Sequence, residues 1–174
     1  MKRVVLPLLL GVFLLILQTT WLRFFPIHRV RPDILLIFTL YLGLSFPPVS
    51  GGILAFLMGY LMDLFSGNAL GFYALSRPLV FFAAQFFRER FYLEGFYSKF
   101  LFAFIYAVLE GLLIFLLMNA LHPTPLGGLY PLLFTFLLPQ SFFTALVTPP
   151  LFFLFQMGSS FLFRQPEKGI MEKV

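Results

Sequence analysis

Between Asp33 and Asp63 the chain carries no charged residue. A stretch of that length exceeds one membrane span, which needs about 20 apolar residues. Pro47-Pro48 divides it, because proline supplies no backbone N–H and clashes with the preceding helical turn. Two helices are expected, at about 34–46 and 49–65. The first rises only about 20 Å at 1.5 Å per residue. It must therefore thin the bilayer locally or lie among neighbouring helices.

The same pattern fills the rest of the chain. Of its residues 60% are hydrophobic and 11% charged, against about 25% charged in an ordinary soluble domain. Too few polar side chains remain to cover a water-facing surface, so lipid must cover it. Further spans are expected at about 4–22, 72–87, 100–121 and 132–163. The fold class is all-α: a multi-pass membrane helical bundle of about six spans, forming one transmembrane domain over 1–174. Lys2 and Arg3 before an apolar run could pass for a secretory signal. The run continues to Leu22, however, with no small-residue pair before Arg23 as a cleavage site, so it reads as a retained span. The last stretch contains Pro139 and Pro149-Pro150 and reads as one long kinked span, with two short segments as the alternative.

Six spans place both termini on one side. With the N-terminus inside, eight basic residues are cytoplasmic: Lys2, Arg3, Arg88, Arg90, Lys99, Arg164, Lys168 and Lys173. Four are outside: Arg23, Arg29, Arg31 and Arg77. Positive residues concentrate on the cytoplasmic side, so both termini are expected there. The net charge of +5 is thus a topology signal, and no nucleic-acid partner is expected. Pro32-Asp33 marks a helix start, since proline suits the first turn and an acid suits the positive end of the helix dipole.

Within the apolar runs, Gly51, Ala55, Gly59 and Asp63 recur every fourth residue along one face of the third span. Small residues at this spacing let two helices approach closely. Packing inside the bundle is the plainer use of that face, and docking of a partner the alternative. Asp63 and Glu110 fall within spans, where a charge at mid-membrane costs at least about 2.5–3.5 kcal/mol on insertion scales. Each needs a partner or a proton. Arg77 is the expected partner of Asp63, since both fall near the outer interface. Asp63 could instead cap the turn that follows it, and Glu110 could be a neutral acid hydrogen-bonded inside the bundle.

Nothing in the pattern suggests an enzyme. The two histidines, His28 and His122, fall in loops. Asp63 and Glu110 are expected at different depths, which argues against an aspartyl pair. No cysteine is present, no carboxylate cluster suggests a metal, and no glycine-rich loop precedes a helix to hold a phosphate. No cofactor is expected.

Two segments carry a resemblance. Arg31-Pro32-Asp33-Ile34-Leu35-Leu36 opens the second span. Gly59-Tyr60-Leu61-Met62-Asp63-Leu64-Phe65-Ser66-Gly67 closes the third and is followed by Leu70-Gly71-Phe72-Tyr73-Ala74-Leu75. Together they resemble the MreD family of rod-shape-determining membrane proteins, whose motif falls here on Pro32, Asp33, Gly59, Asp63, Ser66, Gly67, Gly71 and Ala74. Where family members often carry an asparagine in the last span, this chain has Gln140 and Thr144.

The resemblance implies a non-catalytic subunit of the cell-elongation machinery in a bacterial inner membrane, surrounded by membrane lipids. It implies binding to MreC and, through it, links to MreB, RodA and its class B transpeptidase. It also implies a fold similar to the substrate-binding subunits of energy-coupling-factor transporters. The alternative reading is such a subunit of a vitamin transporter. Those subunits commonly carry an alanine-x-x-x-alanine motif on the first span, which is absent from Leu6–Phe13. The third-span small-residue face with Asp63 is the candidate docking surface.

Overall fold

The computed structural model describes residues 2–21, 32–66, 71–88, 95–121 and 133–162, all of them helical or in the short turns beside helices. Six helices follow one another: α1 (Lys2–Trp21), α2 (Ile34–Ser45), α3 (Pro48–Ser66), α4 (Phe72–Phe87), α5 (Phe96–Leu121) and α6 (Leu138–Leu162). A π-helical turn, Leu133–Leu137, leads into α6. Three of these are long and apolar enough to cross a membrane, over Pro48–Phe65, Phe96–Ala120 and Thr135–Gly158. The other three are apolar but shorter.

The shortest helix, α2, is the axis of the bundle. It touches each of the other five helices, and Leu35 through Gly43 are all buried. A helix apolar on every side belongs in an interior, so its 12 residues need not match the bilayer thickness. Among its neighbours, α3, α5 and α6 are long enough to do that. Pro47 lies between α2 and α3, and Pro48 opens α3. Proline at a first helical position sacrifices an N–H that had no helical partner anyway.

The expected face of α3 is turned onto α4, the most extensive helix pair in the molecule. A Cβ at Gly59 would overlap the backbone carbonyl of Tyr73, and one at Gly51 would overlap the ring of Phe81. Ala55 between them is fully buried. The small residues thus serve close packing within the chain. Of the two uses expected for this face, packing inside the chain is the one seen here, since α4 lies against it. Gly59→Ala should cost about 1–3 kcal/mol, since the new methyl meets backbone that cannot swing aside. The midpoint of SDS unfolding in mixed micelles reads this loss. At Gly43 a Cβ would also crowd Ala84 and the Phe81 carbonyl, less tightly than at Gly59, so α2 too lies close against α4.

Expected and observed helix ends differ most at α5, which begins at Phe96 rather than near Phe100. The α5 extension includes Lys99, whose charge read as loop. A long cationic side chain can run its charge to an interface from inside a helix. Pro149 and Pro150 lie inside α6 without interrupting it. The outside of the bundle is apolar, with Leu9, Phe13, Phe56, Phe86, Leu116 and Phe153 exposed. Such a belt suits lipid or the apolar face of another membrane helix.

Candidate functional site

The polar residues inside this apolar bundle gather around α4 in two clusters. The first caps its start. Asp63, near the end of α3 and 2% exposed, accepts three backbone hydrogen bonds: Gly71 N–H on Oδ2 at 3.0 Å, Tyr73 N–H on Oδ1 at 3.0 Å and Ala74 N–H on Oδ2 at 2.8 Å. A helix N-terminus presents unsatisfied N–H groups and partial positive charge, and a carboxylate answers both. Gly71 adopts φ 108°, a left-handed conformation that a Cβ disfavours by about 1–2 kcal/mol. Gly71→Ala should therefore lower stability by about that amount, although the Cβ itself would meet open space. Thermal unfolding in nanodiscs checks this.

The second cluster joins α2, α4 and α5 through Arg77, which is fully buried. Its Nη2 donates to Asp33 Oδ2 at 2.5 Å and lies 3.2 Å from the Met62 sulfur. Its Nε is 3.3 Å from Glu110 Oε1 but off the line of a hydrogen bond, and Nη1 has no partner among the described residues. The guanidinium carbon stands 5.6 Å from the centroid of the Tyr73 ring. Glu110 Oε1 also accepts from Ser76 Oγ at 3.0 Å.

Asp33 is the N-cap of α2. Its Oδ1 accepts from Leu36 N–H at 2.9 Å, and its own N–H donates to Thr144 Oγ1 on α6 at 3.0 Å. Gln18 of α1 completes the cap, with Oε1 accepting from Leu35 N–H at 3.0 Å. With Met62 of α3, all six helices are thus tied to one network.

The expected Arg77–Asp63 pair is not formed. Both oxygens of Asp63 are engaged by the first turn of α4, whereas Arg77 lies a turn further along and faces Asp33 and Glu110 instead. Asp63 and Glu110 share no hydrogen-bond or ion-pair partner. Pro32 directly precedes the Asp33 cap rather than sitting inside the helix. Ser66 ends α3. Gly67, Arg23, His28, Arg29, Arg31, Arg90, His122, Arg164, Lys168 and Lys173 lie outside the described residues.

A family model described as rod shape-determining protein MreD matches residues 1–158. The chain belongs to the MreD family. No curated protein and no solved structure matches it. In this MreD-family bundle the two motif acids act on the same helix from different sides. Asp63 caps the start of α4, and Asp33 holds its arginine.

Gln18, Ser76 and Thr144 were not singled out as network partners by their sequence pattern. Each is an isolated polar side chain inside an apolar run, and that was the available signal. Thr144 binds the Asp33 backbone and so makes a polar tie between α6 and α2.

Proposed function

We propose that this membrane protein is a non-catalytic subunit of the bacterial cell-elongation machinery, binding MreC and helping to organise peptidoglycan synthesis. Through MreC it is linked to MreB, RodA and the class B transpeptidase. The family membership over residues 1–158 carries the reading. The site geometry supports it, because the buried charges are spent on holding helices together. Asp63 is saturated by backbone N–H groups, and Arg77 is shared between two carboxylates. A bundle fixed in this way presents a defined lipid-facing surface to a single-span partner. The partner face is on the outside of the bundle, away from the α3–α4 seam. The proposed location is the inner membrane, with both termini cytoplasmic.

Co-purification of the tagged full chain from host membranes, read by mass spectrometry, tests this. Recovery of MreC with other elongation components supports the reading. Recovery of an ATPase-coupled transporter module without MreC overturns it in favour of a vitamin-transporter subunit with the corresponding fold.

A further inference from the structure

Beside the Arg77 network lies a cavity of about 160 Å³, bordered by Asp33, Tyr73, Glu110, Gln140, Ser141 and Thr144 among others. By volume it holds about five waters, too much for a bare ion and enough for a small organic group. Its walls set these polar side chains beside Leu36, Ala107, Ile114 and Leu137. Several of its polar atoms are unused among the described residues, the Tyr73 hydroxyl and the Gln140 amide among them. Ser141, 1% exposed, makes no side-chain hydrogen bond. Glu110 receives Ser76 and Arg77 on Oε1, which leaves Oε2 without a partner. Gln140 is exposed, so the cavity has a way out beside it.

Charge points to the occupant's sign. Two carboxylates face one guanidinium in this network, so one negative charge is left over when all three are ionised. An uncompensated charge is costly inside a bundle, and either a proton on Glu110 or a bound cation removes it. Hydrogen bonding points to its chemistry. When ionised, the unused Glu110 Oε2 is an acceptor only, the Ser141 hydroxyl can accept, and the Gln140 amide oxygen adds a third acceptor beside them. An alkylammonium carries one positive charge and three N–H donors.

We propose that this cavity binds a primary ammonium group, held by Glu110 Oε2 with Ser141 and Gln140 as further acceptors. The group can come from a free small amine or from an amino-headgroup lipid, since the bundle lies among lipids. This site is independent of whether the chain binds MreC.

The test uses the full chain in phosphatidylglycerol nanodiscs, with its thermal midpoint followed as ethylammonium chloride is added. A ligand that binds the folded state alone raises the midpoint in a saturable manner. Ethylammonium should do so, whereas tetramethylammonium, which has no N–H, and sodium should not at equal ionic strength. Glu110→Gln, which keeps the Ser76 acceptor but removes the charge, should abolish the shift. Ser141→Ala, which disturbs no observed bond, should raise the half-saturating concentration about tenfold or more, the loss of one hydrogen bond to a charged group.

Nanodiscs containing phosphatidylethanolamine separate the sources. A raised midpoint without added amine, absent in Ser141→Ala, assigns the site to the lipid headgroup; a response to free amine alone assigns it to a small solute. Sodium acting as strongly as ethylammonium, or Ser141→Ala responding like the wild type, overturns the proposal. So does the absence of any shift with either amine source. If Glu110→Gln does not fold, the Ser141→Ala result decides alone.

Discussion

Arg77→Met should lower the stability of the bundle by about 3–5 kcal/mol, the cost of breaking a buried ion pair by removing one partner. Methionine fills much of the same volume, so the loss is electrostatic. Asp33 and Glu110 would be left facing each other's charge with no cation between them. The midpoint of SDS unfolding, followed by loss of helical signal, should fall sharply, and less protein should accumulate in the membrane. A charge-free set separates this cause from packing. Asp33→Asn keeps a good N-cap residue, and Glu110→Gln keeps an acceptor for Ser76. The triple variant with Arg77→Met should therefore return to within about 1–2 kcal/mol of the wild type, since uncharged replacements of a whole buried pair are often near neutral. A triple variant no more stable than Arg77→Met would show that the guanidinium's shape, not its charge, is what the bundle requires. An Arg77→Met midpoint equal to wild type would remove the network from the account of stability altogether.

How far the sequence could lead is visible in particular residues. Helix positions were legible because apolar runs, proline pairs and glycine turns are local signals. The Pro47-Pro48 break and the start of α4 at Phe72 lie where those signals put them. The close approach at Gly59 was legible too, because four-residue spacing of small residues is a property of one helix. What it packs against was not. Spacing tells that a face is narrow, not which helix fills it, and α4 turned out to be the occupant.

The pairing of Arg77 failed for a related reason. Depth along a span can be estimated from sequence, but rotation about the helix axis relative to other helices cannot. Asp63 and Arg77 are near in sequence and similar in expected depth, yet Asp63 meets the backbone of α4 while Arg77 projects to α2 and α5. Asp33 was legible only as a helix start. That its second oxygen would hold an arginine 44 residues away in sequence depends on tertiary contacts that only the folded bundle supplies. The cavity beside Glu110 depends on Gln140, Ser141 and Thr144 arriving from α6, with nothing local to announce them.

Asp63→Ala should cost about 2–4 kcal/mol, because it strips the acceptor from three backbone N–H groups at the first turn of α4, and buried donors left unsatisfied cost about 1–3 kcal/mol each. The lower part of the summed range is expected, since Gly71 is exposed and its N–H can turn to water, whereas Ala74 is buried and its N–H cannot. The helix dipole adds to the loss, as the carboxylate there is buried. Asp63→Asn separates the two contributions. It keeps one acceptor oxygen but no charge, and it adds an amide whose N–H groups would face the N–H donors of α4. It should fall between wild type and Asp63→Ala.

The loss should also be local. Hydrogen exchange should accelerate first at Tyr73 and Ala74, while the amides of α2, held by Asp33 and Gln18, stay protected. Uniform acceleration across α2 and α4 would mean that the Asp63 cap and the Arg77 network form one cooperative unit. In that case the two motif acids could not be treated as separate ties on α4.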